Sequence, residues 1–198
     1  EFNVSRETYH VLDNFRRSVI QKNKTINLIS KKTEDNFIKR HIIDCAQAID
    51  FIDINSKICT DIGSGAGLPG IVLAIVLKRK NIKIKMNLYE KSYHKSKFLM
   101  QIAEKLKLDV EVFQKDIFKE KNLTSGTIIA RAFKPFPTIL DLVEVNFQNY
   151  KNIIVFMGKN GKQLLEKAFK EWEFEYKERK SLTSDDSFLL NIKNIKKK

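Results

Sequence analysis

Apolar residues fall at helical spacing along the first quarter of the chain. Val11, Leu12, Phe15 and Val19 make one stripe; Ile38, Ile42, Cys45, Ile49 and Ile52 make another. Asn27-Leu28-Ile29-Ser30 lies between them as a short connecting segment. Residues 1–56 therefore read as a helical extension. From Lys57 the period changes. Short apolar runs near 57–62, 84–89, 110–114, 127–131 and 152–157 read as strands, and helices near 69–79, 93–106, 136–146 and 161–171 separate them. Phe98, Ile102 and Leu106 form the inner stripe of one helix; Leu164, Leu165, Ala168, Phe169 and Trp172 form that of the last. Two terminal strands, near 173–180 and 187–192, bring the sheet to seven, with one antiparallel edge. Strands alternating with helices predict an α/β domain over 57–198, with a mainly parallel sheet covered on both faces. The basic tail, 193–198, is expected to fray.

Composition narrows the picture. A chain of 198 residues buries about 70% of its unfolded surface, so its core needs no disulfide or metal. Cys45 and Cys59 are the only cysteines and form no CxxC pair, which fits a reducing cytoplasm and excludes a Cys-rich zinc site. The longest apolar run, Ile71 to Leu77, is far short of the roughly 18 residues of a membrane span. The first residues show no signal-peptide pattern. The expectation is a cytoplasmic monomer with neither membrane nor metal. Charge adds a partner class: 37 Lys+Arg against 24 Asp+Glu leave a formal net of +13, which concentrates polyanions. The same chain is rich in Ile, Asn and Lys, so compositional drift supplies part of the excess. The basic stretch Lys78–Lys97 and the tail lysines 193 and 196–198 are expected to form a phosphate-binding surface around the ligand edge.

One motif carries chemistry. Asp61-Ile62-Gly63-Ser64-Gly65-Ala66-Gly67-Leu68-Pro69-Gly70 follows the first strand and opens a helix. Alternating glycines let the backbone turn tightly and approach a ligand. Gly65-x-Gly67-x-x-Gly70 satisfies the dinucleotide fingerprint, with Glu90 at the expected distance for a ribose. Asp61-x-Gly63-x-Gly65-x-Gly67 equally matches the S-adenosylmethionine loop of methyltransferases, and Glu90 serves that reading too. Asp61 favours the second, because a carboxylate there suits an amino-acid ammonium and is unneeded beside a pyrophosphate. Little chain remains for a dehydrogenase substrate domain. Three functions stay open on these residues: a nucleic-acid methyltransferase, an NAD-dependent oxidoreductase, and a non-catalytic RNA-binding module on a methyltransferase fold.

Four segments together resemble the RsmG family, also called glucose-inhibited division protein B (GidB). The run Thr60-Asp61-Ile62-Gly63-Ser64-Gly65-Ala66-Gly67-Leu68-Pro69-Gly70-Ile71 resembles its loop; Asn27-Leu28-Ile29-Ser30, Arg40-His41-Ile42-Ile43-Asp44-Cys45 and Ala130-Arg131-Ala132-Phe133 resemble three other family segments in the same order. The resemblance implies a class I, Rossmann-like S-adenosylmethionine-dependent methyltransferase acting on N7 of a guanine in the 530 loop of 16S rRNA, naked or in the small ribosomal subunit. It places Gly63 and Leu68 against the cofactor, Ile117 and Phe118 along its adenine after Asp116, and Arg131 on the cofactor or substrate side. Three positions depart from the family pattern: Lys159-Asn160 after the fifth strand, Ser187 in place of an Arg, and Cys45 in place of a Ser.

Guanine N7 has a lone pair and no proton to lose, so this chemistry needs no general base and no Cys nucleophile. The Asn/Asp-Pro-Pro-aromatic motif for exocyclic amines is missing; the chain has Arg131-Ala132-Phe133-Lys134-Pro135-Phe136-Pro137 there. Phe133 and Phe136 are candidates for stacking a displaced base, Lys159 is a candidate phosphate contact, and His41 and Asp44 share one helical face. His41 is expected to hold the extension against the site.

Overall fold

The computed structural model describes residues 5–198. Helix α1 (Arg6–Asn23) opens the chain. Ser5 caps it, its hydroxyl accepting from the Thr8 amide, and Leu12, Phe15 and Val19 make its buried stripe. The second predicted helix is irregular: a π-helical stretch, Ile38–Ile43, leads through a short α2 (Asp44–Ala46) into a 3₁₀ turn, Gln47–Phe51.

The sheet then alternates with helices: β1 (Ile58–Ile62), α3 (Gly70–Arg79), β2 (Lys85–Tyr89), α4 (Tyr93–Lys105) and β3 (Val110–Phe113). A two-residue β4 (Leu123–Thr124) precedes β5 (Thr127–Arg131) and α5 (Phe136–Asn146), and β6 (Phe147–Gln148) pairs with β4 apart from the main sheet. β7 (Asn152–Met157), α6 (Gly161–Glu171), β8 (Trp172–Lys180) and β9 (Phe188–Lys197) complete the chain. The seven-stranded sheet runs β3-β2-β1-β5-β7-β9-β8. Its first five strands are parallel, and β9 is antiparallel to both β7 and β8. This order decides between the two nucleotide readings. A dinucleotide-binding sheet runs 3-2-1-4-5-6; here the seventh main-sheet strand slots antiparallel between the fifth and the sixth, the class I methyltransferase arrangement.

Alternate strand residues feed two cores. Ile129, Ile154 and Leu189 face a layer built from α1, the extension, α3 and α4; Ile128, Ala130, Ile153, Val155 and Leu190 face α5 and α6. α3 is buried from Gly70 through Leu77, because α1 and the extension cover the side that solvent would otherwise reach.

The tail departs from expectation. Lys193–Lys197 belong to β9 and do not fray. Glu173 faces Lys196 and Glu175 faces Lys193 across the β8–β9 ladder. Lys197 bonds Asp141 at 2.9 Å and lies over the Trp172 ring. Opposite charges on facing positions keep the pairing going where the lysines alone read as a loose end.

Candidate active site

A cavity of ≈ 990 Å³ opens at the C-terminal ends of the parallel strands, within the size range of small-molecule sites. The glycine loop forms its floor. Gly63 and Gly65 take φ of +73° and +54°, the left-handed region that glycine enters freely. The loop hangs from β2, with the Gly63 and Ser64 amides both donating to the Tyr89 carbonyl at 2.9 and 3.0 Å. A Cβ on Gly63 would collide with the Phe133 ring, so glycine here lets that ring lie on the loop.

Glu90 stands at the rim. One carboxylate oxygen accepts from the Gly65 amide at 2.9 Å and the other from the Ser92 amide at 2.8 Å. Each oxygen keeps a further lone pair. Leu68 and Ile117 give apolar wall, and Phe118 stacks on Phe133 with ring centroids 5.9 Å apart. Asp116 also lines the cavity, but one of its oxygens already accepts from the Phe118 amide at 3.2 Å.

Asp61 differs from expectation. It is 1% exposed, does not line the cavity, and accepts from the Gly70 amide at 2.9 Å. It therefore caps α3 from below instead of meeting a ligand ammonium. Burial pushes its pKa up to about 7, the Gly70 bond pulling back only in part. Gly70 is required by this contact, since a Cβ there would press on the Asp61 carboxylate and on Leu88. Gly67 is likewise beneath the cavity, turned against Ile71 and Leu99. Lys159 is exposed and lines a neighbouring groove instead of the main cavity, whereas Gly158 borders both. Phe136 is core, 1% exposed, while Phe133 is half-buried in the cavity wall.

On the far wall Arg131, at the end of β5, meets the extension. Its guanidinium donates to Asp44 at 3.1 Å and to the Arg40 carbonyl at 3.0 Å. The π-helical stretch brings the Arg40 carbonyl, His41 and Asp44 together on Arg131. The Thr33 hydroxyl spends its proton on the Ser30 carbonyl at 2.7 Å, so His41 Nε2 donates to Thr33 at 2.9 Å. That leaves His41 Nδ1 to accept from Arg131. Burial, then the Arg131 charge, pushes the His41 pKa down to about 4, so the ring is neutral and holds the extension on the site.

Several contributors carry no motif. The other Asp44 oxygen accepts from Gln47, Ser181 and Thr183 at 3.0–3.2 Å, tying the β8–β9 loop to the same hub. Asn146, buried at the end of α5, donates to the Ile117 carbonyl at 3.0 Å and fixes the turn beside the cavity. A polar residue closing an apolar helix was the available signal. Asn23 accepts from the Leu28 and Ile29 amides at 2.8 and 3.0 Å, which sets the connecting segment on the cavity edge. Lys91, Lys95, Lys115 and Lys134 ring the mouth, and Ser187 lies in the lining.

The family model described as GidB, rRNA small subunit methyltransferase G, matches residues 8–189. A Ribosomal RNA small subunit methyltransferase G of Pelagibacter ubique (strain HTCC1062) is 54% identical over 198 residues, 99% of this chain and 93% of that protein. Its namesake in Orientia tsutsugamushi (strain Ikeda) is 33% identical, covering 97% and 93%. Among solved structures, magnesium protoporphyrin IX methyltransferase of Synechocystis PCC 6803 with bound S-adenosylmethionine superposes with a TM-score of 0.61 at 11% identity, covering 98% of this chain and all of that one. TrmK of M. capricolum with S-adenosyl-homocysteine gives 0.56 at 18% identity, covering 85% and 69%. These two share the fold.

Proposed function

The chain belongs to the GidB family, rRNA small subunit methyltransferase G, and we propose that it transfers a methyl group from S-adenosylmethionine to N7 of a guanine in the 530 loop of 16S rRNA. The observation that carries this reading is the glycine loop and Glu90 meeting at one cavity on the C-terminal edge of a methyltransferase-ordered sheet. The residues present fit the methyl donor. Gly63 and Gly65 bring bare backbone to the cavity, the spare lone pairs of Glu90 suit a ribose diol, and Leu68, Ile117 and Phe118 supply apolar wall for an adenine. Asp116 keeps one carboxylate oxygen for a base amino group. Bound there, S-adenosylmethionine supplies a sulfonium methyl group, which a guanine N7 takes with its own lone pair, the carbon–sulfur electron pair staying on sulfur, so that no proton has to move.

The chain's own part is positioning. The Phe133 ring, lying on the glycine loop, offers a face for the displaced base, and the Arg131 hub holds the opposite wall. His41 is committed at both nitrogens, and the two cysteines are buried, so none of these three side chains is free to take a proton or attack. Among the described residues no helix is long and apolar enough to cross a membrane. A ribosomal RNA substrate supports a cytoplasmic enzyme with the small ribosomal subunit as its partner. Radiolabelled methyl transfer to 16S RNA, presented naked and as assembled small subunits, tests the reading. Label on the 530 loop is expected. Failure to label either substrate while S-adenosyl-homocysteine binds would leave an RNA-binding module in its place.

A further inference from the structure

The sheet ends on β8, and no strand among the described residues pairs with its outer edge. From Glu173 to Lys180 the strand is exposed, with only Phe174 and Arg179 half-buried. Hydrogen bonds alternate along an antiparallel strand. The Ser181 amide donates to the Ser187 carbonyl, and the Lys198 amide to the Glu171 carbonyl, both at 2.9 Å. Odd-numbered residues of β8 therefore turn their main chain to β9, and even-numbered ones turn theirs outward. A bulge would spoil such an edge for further pairing. The one irregularity of this ladder lies in β9: between Glu173↔Lys196 and Glu175↔Lys193, two steps along β8 meet three along β9, where Asn194 takes φ of +52°. The outer edge of β8 stays regular.

Charge is the other usual block to edge pairing, and the charges of β8 block its pairing with itself in all but one register. In an antiparallel pair of identical strands, a twofold axis passes through one residue. An axis at 174 sets Glu173 opposite Glu175; one at 178 sets Lys177 opposite Arg179; axes at 175 and 177 set Glu175 and Lys177 against themselves. An axis at Tyr176 sets Glu173 opposite the partner's Arg179 and Glu175 opposite the partner's Lys177, with no like charges facing. Within the chain Lys196 and Lys193 already face these two glutamates, so charge would alternate across three strands. Arg179 is held through Nη1 by Asp50 and the Gln47 carbonyl, which leaves its other nitrogens for Glu173. Tyr176 is also the midpoint of the strand, Trp172–Lys180, so every outward main-chain group finds a partner. On the other face Tyr176 would meet its own copy, and Phe169 and Phe174 pack beside it. We propose that two copies of the chain join β8 to β8 about Tyr176, a twofold dimer with one continuous sheet, in place of the monomer expected from the sequence. The parallel strands of the two copies then run in opposite directions, so the two cavities face opposite edges of the joined sheet.

The test is analytical ultracentrifugation of the full chain. Wild type is expected to sediment as a dimer at roughly 100 μM, within reach of an association of micromolar strength. Glu175→Lys puts a cation opposite the partner's Lys177, and Lys177→Glu puts an anion opposite the partner's Glu175. Symmetry counts each clash twice, so either change should raise the dissociation constant at least about tenfold. The two changes together restore opposite charges and should restore the dimer. Position 175 faces Lys193 within the chain in the single and the double variant alike, so only pairing between copies separates them. Tyr176→Cys puts one cysteine on the axis, where facing Cα atoms of such a pair lie about 5.5 Å apart, within disulfide range. Oxidised, it should run as a linked dimer on a non-reducing gel, Cys45 and Cys59 being buried. A monomeric wild type would overturn the proposal, whatever the variants do. A dimer that neither single change weakens, a double variant as weak as the singles, or no link through position 176 would overturn it as well.

Discussion

Gly63 on the cavity floor and Glu90 at its rim are proposed to make separable demands on the methyl donor. Gly63→Val places a β-branched residue at φ +73° and drives its Cβ into the Phe133 ring. A folded Gly63→Val protein should show no calorimetric binding of S-adenosyl-homocysteine; unchanged affinity would remove the loop from the site. Glu90→Ala deletes the acceptor proposed for both ribose hydroxyls and leaves the Gly65 and Ser92 amides without their carboxylate. The expected loss in cofactor affinity is about 1.5–3 kcal/mol. A 2′-deoxy analogue should lose much less against Glu90→Ala than against wild type, and equal losses would show that Glu90 only braces the loop. Spacing alone brought Glu90 beside the glycine loop, because a strand end and a glycine turn leave it one place to point. Spacing misplaced Asp61. A residue before the loop points either up to the ligand or down to the helix, and only the close approach of Gly70 decides for the helix.

At the scale of elements, the main-sheet strands and their helices were legible to within a residue or two, because strand and helix periods alternate cleanly there, except that β9 runs on to Lys197 and the short β4–β6 pair carried no signal. The extension was not. Spacing tells which face is apolar, not whether the turns are α, π or 3₁₀; here the turn type brings three groups together on Arg131, far along the chain. Two buried titrating groups in these elements oppose each other. His41 has a folded pKa of about 4, below its ordinary 6.5, so its contribution is full above pH 6.5 and lost as pH falls through about 4. Asp61 has a folded pKa of about 7, above its ordinary 3.8, so its contribution is full below pH 3.8 and lost as pH rises through about 7. Over the shared window the two trends offset. Asp61→Asn keeps an acceptor for Gly70 and should make the urea midpoint rise with pH more steeply than wild type. His41→Gln should make it fall. Parallel pH profiles in all three proteins would show that neither group titrates with folding.

Over the whole molecule, the net charge of +13 was legible and its placement was not. The basic stretch read as one surface is divided by the sheet. Lys78 and Arg79 close α3, and Lys85, ion-paired with Glu111 at 2.6 Å, opens β2, all at the edge away from the glycine loop. Lys193–Lys197 continue β9 beyond Ile192, which pairs near the start of β7, so they lie at that remote edge too. Lys91, Lys95, Lys115 and Lys134 instead ring the cavity mouth; of these Lys115 is ion-paired with Glu120 at 2.9 Å. A linear pattern cannot tell these groups apart, because a parallel sheet sends each strand's two ends to opposite edges. Each phosphate contact releases counterions and contributes about 0.7–0.9 to the slope of log affinity against log salt. Replacing Lys91, Lys95 and Lys134 with Gln should therefore lower the salt slope of binding to small subunits by about that amount for each lysine that meets a phosphate. Replacing Lys83, Lys193 and Lys196 should leave the slope at the wild-type value. Affinity for S-adenosyl-homocysteine, measured alongside, should hardly vary with salt in any of these proteins, because its site is small and partly enclosed. Equal slopes in the two triple variants would mean that the lysines at the mouth do not carry the RNA, and that the rRNA approaches the cavity over some other surface.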